Sequence, residues 1–160
     1  MLAMRWRLLI ALVLLPSFAL AQEFKGYRTT TLEVVINEWN GRTKGEGPGI
    51  SIGRPEKIKF GASMRAAPAP CSNGVLQTAL RMMNFSDLLK QVSVTHCLTL
   101  TSTNGRPVVA FVQDVLVPAL NTDLRIGQPV QIYADFLAYQ VTSDRSRNAP
   151  ILLVSRFEPQ

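Results

Sequence analysis

The rhythm of apolar and polar positions changes several times along the chain, and each change predicts an element. Leu8 to Leu15 is an unbroken apolar run ended by Pro16. It is shorter than the ~20 residues that span a bilayer. Residues 22–30 are a polar lead-in. Over 31–39, Leu32, Val34, Ile36 and Glu38 alternate with Glu33, Val35, Asn37 and Trp39, which predicts a half-buried strand. Asn40-Gly41 signals a turn, and a glycine-rich loop is expected through Gly53. A second strand is expected over 57–64, where Ile58 and Phe60 oppose Lys57 and Lys59.

Ala66-Ala67-Pro68-Ala69-Pro70 reads as an extended linker, because each proline disfavours helix in the residue before it. Ser72 or Asn73 can cap a helix over about 74–84, with Val75, Leu76, Ala79, Leu80, Met82 and Met83 on its apolar side. Ser86 can cap one further turn, Asp87–Gln91. From Val92 the pattern turns to period two. Val94, His96, Leu98 and Leu100 share one face of a strand over 92–102, and Asn104-Gly105 predicts a hairpin to 107–113. Residues 114–125 form a short helical or irregular crossover. A long strand over 130–141 alternates Val130, Ile132, Ala134, Phe136 and Ala138 with Gln131, Tyr133, Asp135, Leu137 and Tyr139. A polar loop, 142–149, leads to a last strand at 151–157.

Composition matters mainly through the first 21 residues. Arg5 and Arg7, the apolar run, and Ala19-Leu20-Ala21 ahead of Gln22 make the pattern of a secretory signal peptide cleaved between Ala21 and Gln22. No cysteine follows Ala21 to carry a lipid anchor. Removing this segment takes two arginines and no acids, so the net charge falls from +6 to +4. That is too mild to mark a nucleic-acid footprint, which needs a clustered basic face. The expected organisation is a signal peptide (1–21), an N-terminal strand with the glycine-rich loop (22–56), and a single β-rich domain (57–160). The mature chain is expected not to span a membrane and to reside in the periplasm or outside the cell. Cys71 and Cys97 are the only cysteines, and in an oxidising compartment they are expected to pair. That bridge closes a loop worth roughly 3 kcal/mol in the chain-entropy account.

The candidate chemistry is thin. Glycines 41, 45, 47, 49 and 53 do not form G-x-x-x-x-G-K-[ST], so no phosphate loop is expected. Met82 and Met83 sit at helical spacing and read as core rather than a copper site. His96 is the only histidine. Its place between Val94 and Leu98 predicts a buried, backbone-bonded ring rather than a catalytic base. No G-x-S-x-G occurs, and no metal or cofactor is implied. The acids are dispersed, and Glu33 and Glu38 would face opposite sides of a strand. The best candidate binding surface is the face carrying Tyr133, Asp135 and Tyr139, with Arg145, Arg147 and Arg156 adjoining it.

These elements predict an α+β domain, mainly antiparallel β, with one main helix. GQPVQIYADFLAYQV…ILLVSRFE (Gly127 onward) resembles the closing strands of oligonucleotide/oligosaccharide-binding (OB) domains, through the Gly127-x-x-Val130 start and the long strand 130–141. With the hairpin that precedes these strands, the resemblance covers the C-terminal ~65 residues and implies a small, partly open barrel. Here the main helix precedes the hairpins, a departure from the usual OB order. A small β-sandwich or a helix-covered antiparallel sheet is the alternative architecture. The expected function is a non-enzymatic, exported binding or interaction domain whose partner is an envelope protein or polymer. A carboxylate-dependent envelope hydrolase is the first alternative. An OB-type single-stranded nucleic-acid binder is the second, weakened by export and the low charge.

Overall fold

The computed structural model describes residues 26–160. The signal segment 1–21 and the Ala21/Gln22 cleavage site lie outside the described residues. The first surprise in the chain is a helix, α1 (Leu32–Arg42), where alternation predicts a strand. Its buried residues are Leu32, Val35, Ile36 and Trp39. That is the i, i+3, i+4, i+7 stripe of a helix, not a period of two. Thr31 caps it, its Oγ1 accepting from the Val34 N–H at 3.2 Å. Glu33 in the first turn and Arg42 in the last suit the helix dipole. Burial of one apolar stripe outweighs the strand preference of three β-branched residues.

The chain then enters β2 (Gly49–Pro70), a 22-residue strand preceded in sequence by the short β1 (Arg28–Thr29). The glycine-rich loop is therefore shorter than predicted and gives way to strand at Gly49. Gly53 has a packing role there: a Cβ on it would come within 2.7 Å of the Trp39 indole. Ala66–Pro70, expected as a linker, forms the end of β2, where Ala69 pairs with Cys97 and Pro70 with His96. Prolines are tolerated because β2 pairs with β5 only as far as Ser63, leaving one edge open beyond it. The segment 22–56, expected as an N-terminal strand with a glycine-rich loop, thus supplies α1 to the common core, and the 56/57 boundary falls inside a strand.

The remaining elements lie close to expectation. They are α2 (Gly74–Met82), α3 (Leu88–Gln91), β3 (His96–Thr101), β4 (Pro107–Val112), a 3-10 turn at Asp114–Leu116, α4 (Val117–Asp123), β5 (Pro129–Val141) and β6 (Ala149–Pro159). Gly105 adopts φ +81° in the hairpin between β3 and β4, the conformation that Asn-Gly turns supply. The whole is α+β, mostly strand, in one mixed sheet. The order is β1-β2-β3-β4-β6-β5, and β5 pairs in turn with β2. Among the described residues four pairings are antiparallel, as the expected mainly antiparallel sheet requires, and two are parallel, β1–β2 and β4–β6. β6 doubles back from β5 and so ends alongside β4 in the same direction.

Two apolar clusters hold the sheet. The larger lies between α1 and the inner faces of the strands, and includes Trp39, Phe60, Leu98, Leu100, Phe136 and Tyr139. The smaller joins Leu76, Ala79 and Leu80 of α2 to Leu137, Ile151 and Leu153. β5 and β6 are covered on both faces where the clusters meet, so both read as near-continuous apolar runs.

Candidate functional site

The predicted binding face does not assemble. A bulge in β5 leaves Leu137 between the paired positions Phe136↔Leu152 and Ala138↔Ile151. One extra residue reverses the facing of everything after it. Tyr133 and Asp135 therefore point outward, whereas Tyr139 points into the core and is wholly buried. The Tyr139 ring stacks on Trp39 at 5.8 Å, and its hydroxyl donates to Asn40 Oδ1 at 3.0 Å.

Tyr133 is itself covered, at 7% exposure. Tyr27 packs edge-on against it at 5.2 Å, and the Arg156 guanidinium lies 5.3 Å from its ring centroid. The Tyr133 hydroxyl donates to Glu158 Oε2 at 3.0 Å, and Arg156 is bonded to the same carboxylate. Burial raises the Asp135 carboxyl above its ordinary range, and the neighbouring Lys57 offsets part of that. The three arginines are dispersed. Arg156 serves the Tyr133 cluster. Arg145 donates to the carbonyls of Thr43 at 3.4 Å and Glu46 at 3.2 Å, in the turn that follows α1. Only Arg147 stands at a groove.

His96 is also placed differently from expectation. It is half-buried at the start of β3, and its Nδ1 lies 3.1 Å from Asp114 Oδ1 and 2.9 Å from Thr95 Oγ1. Its contacts are side chains, not backbone, because the 3-10 turn after β4 brings Asp114 back beside it. Ser93 Oγ donates to Asp114 Oδ2 at 2.6 Å, as does Thr95 Oγ1 at 2.9 Å. The Thr95 N–H donates to Asp114 Oδ1 at 2.9 Å. A nucleophilic triad needs the hydroxyl on the histidine and the carboxylate behind it. Here Ser93 bonds the carboxylate, and Thr95 Oγ1 meets both the carboxylate and the same Nδ1 that faces it. Hydroxyl and carboxylate therefore do not lie on opposite ring nitrogens, and Asp114 acts as a clamp between the approach to β3 and the exit of β4.

The Ser93 hydrogen bond, the largest cause, with those of Thr95 and His96, holds the Asp114 carboxyl well below the ordinary carboxylate range. A depressed folded-state pKa gives stability that is present above the unfolded value, about 3.9, and lost as pH falls through the folded value. Replacing Asp114 by Asn is therefore expected to lower stability at about pH 6 and to narrow the gap to wild type towards about pH 3. Denaturant melts across that range check this. A gap that is constant with pH would remove the clamp's charge from the account.

Clefts of about 310 and 300 Å³ lie beside α2 and at the β2–β3 edge, and a further open surface is the seam between β4 and β6. These strands pair only at Phe111↔Leu153 and Val112↔Val154. Ahead of that point, Pro107–Ala110 pair with β3 alone and Ala149–Leu152 with β5 alone. Two clefts, of about 270 and 220 Å³, follow the seam and share Pro107, Val108, Ala149 and Pro150. The first is floored by Val75, Val109, Phe111 and Ile151; Val109 is 52% exposed. The second is rimmed by Arg106 and Arg147. Arg106 is fixed by bonds to the carbonyls of Asn148 at 2.5 Å and Ser146 at 3.1 Å. Among the described residues neither arginine forms a close ion pair, although Arg147 lies near enough to Asp144 to help lower its carboxyl pKa.

Sequence reasoning passed over Val75, Arg106, Val109 and Phe111. The signal was present in PVVAFVQ, which is apolar on both faces of a strand: Val108, Ala110 and Val112 fill the core while Pro107, Val109 and Phe111 face out. Among the described residues, no helix is long and apolar enough to cross a membrane. The chain matches no family model and no curated protein.

Proposed function

We propose that this chain is an exported, non-enzymatic binding domain of OB-like type, and that the β4–β6 groove is its binding site. Two features support the OB-like reading. The pairings make a circuit, β2–β3–β4–β6–β5 and back to β2, with α4 joining β4 to β5. That circuit has the order of a small, partly open Greek-key barrel. The early helix noted in the sequence is accommodated, since α2 lies in the excursion between β2 and β3 and packs outside the circuit. The Cys71–Cys97 disulfide supports residence in an oxidising compartment.

The observation that carries the binding reading is the open seam itself. It combines unpaired strand edges, a partly exposed apolar floor and two arginines outside any close ion pair. A glycosidase-type hydrolase needs two carboxylates flanking the scissile bond, and neither cleft along the seam is lined by Asp or Glu. A single-strand binder uses a cationic track with several stacking aromatics, whereas this floor offers one, Phe111.

The test is amide chemical-shift mapping with three probes: a pool of randomised short peptides, oligothymidylate, and an anionic oligosaccharide. Saturable shifts at 106–111 and 147–151 with at least one probe are expected. Shifts confined to other surfaces, or cleavage of a bound probe, would overturn the assignment.

A further inference from the structure

The groove's own chemistry narrows the ligand, and the narrowing rests on the groove being the binding site. We infer that its occupant is the extended C-terminal segment of a peptide chain, which adds a strand along the open edge of β4 and presents its terminal carboxylate to Arg106 and Arg147.

Three observations carry this. The first is backbone. β4 over Pro107–Ala110 and β6 over Ala149–Leu152 each pair on one side only. Apart from Pro107 and Pro150, which have no N–H, these edges offer N–H and C=O groups at the spacing of another strand, and peptides are the ligands that match that spacing. β4 and β6 run parallel to each other, so one inserted chain meets both in the same relative sense. Antiparallel pairing is the stronger of the two, which sets the chain's C-terminus at the start of β4 and β6.

The second is charge. The residue before β4 is Arg106, and Arg147 stands two residues before β6, so both cations lie at that end. Arg106 spends only Nη2 on the Ser146 and Asn148 carbonyls. Its Nε and Nη1 are left to meet a carboxylate, and a guanidinium held by fixed carbonyls is pre-positioned to do so. Arg147 is exposed and supplies a second positive charge.

The third is the floor. Val75, Val109 and Phe111 lie away from the arginine end and are at least partly exposed. A strand projects alternate side chains to one face, so alternate aliphatic residues of the ligand would cover this floor. A polyanion would find cations at one end of the groove only.

The purified protein is offered a pool of randomised short peptides with free C-terminal carboxylates, and the same pool amidated. Retention of free-acid peptides with aliphatic residues at alternate positions is expected. Arg147→Gln and amidation should each weaken binding about tenfold or more, the loss expected of one charge-assisted hydrogen bond. Val109→Asp should weaken it while the melting temperature stays within a few degrees, since Val109 is exposed. Equal retention of acid and amide pools would overturn the carboxylate contact. Retention of no peptide, with oligothymidylate or the oligosaccharide shifting the groove amides instead, would overturn the peptide and leave the groove as the binding site. Failure of every probe to reach the groove would overturn both.

Discussion

Replacing Tyr139 by Ala is expected to cost about 3–5 kcal/mol of unfolding free energy, the range for removing a large buried aromatic side chain. The ring is wholly buried against Trp39, with Phe136 also packed on that indole at 5.1 Å. Close-packed interiors do not refill such a volume. The hydroxyl adds a smaller, separable part. It donates to Asn40 Oδ1, which also accepts from Asn148 Nδ2 at 3.0 Å. Asn148 Oδ1 in turn accepts the Thr142 N–H at 2.8 Å. Tyr139→Phe leaves Asn40 Oδ1 with its Asn148 donor, so its cost is expected to be near 1 kcal/mol. Urea melts of the two variants separate ring from hydroxyl. An Ala variant that loses less than the Phe estimate would mean the ring is not part of the core. The contrast with a binding role is direct, because a surface tyrosine would lose affinity on truncation and leave stability nearly unchanged.

That contrast marks where the sequence was legible and where it was not. The hairpin after β3 could be read because Asn-Gly selects one turn geometry and the flanking runs alternate cleanly. α2 could be read because Leu76, Ala79 and Leu80 recur at helical spacing beside a capping position. α1 was hidden by chemistry that serves two masters. Val34, Val35 and Ile36 favour a strand by propensity, and the stripe at 32, 35, 36 and 39 favours a helix. Over nine residues both templates fit, and only tertiary burial decides. The facing of Tyr139 was hidden more deeply. Leu137-Ala138-Tyr139 is apolar on both faces because α1 covers one side and α2 the other. With no polar position to break the run, nothing in it records the bulge at Leu137. The candidate groove was half legible. Its outward Val109 and Phe111 stand in PVVAFVQ, but the splaying of β4 from β6 depends on a strand that follows about 40 residues later.

Removing the Cys71–Cys97 disulfide, as the double substitution Cys71→Ala with Cys97→Ala, is expected to cost about 3 kcal/mol through the greater freedom of the unfolded chain. The sequence separation of 26 sets that size. For a domain of this length the melting temperature should fall by roughly 10 °C. The native state loses little by comparison. The Cys71 N–H still donates to the Thr95 carbonyl at 3.0 Å, and Ala69 still pairs with residue 97 of β3. The excursion carrying α2 and α3 is anchored independently, by Leu76, Ala79 and Leu80 on β5 and β6 and by Asn73 Nδ2 donating to the Val94 carbonyl at 2.8 Å. Amide exchange should therefore quicken across the whole domain, β5 included, rather than in residues 72–95 alone. If instead those residues exchange faster while β5 is unaffected, the disulfide is holding the excursion in place in the folded state. Val75 lies on that excursion and lines the β4–β6 groove. Uniform acceleration would thus leave ligand binding intact below the melting range, whereas local loosening would carry Val75 away and weaken binding before the domain unfolds.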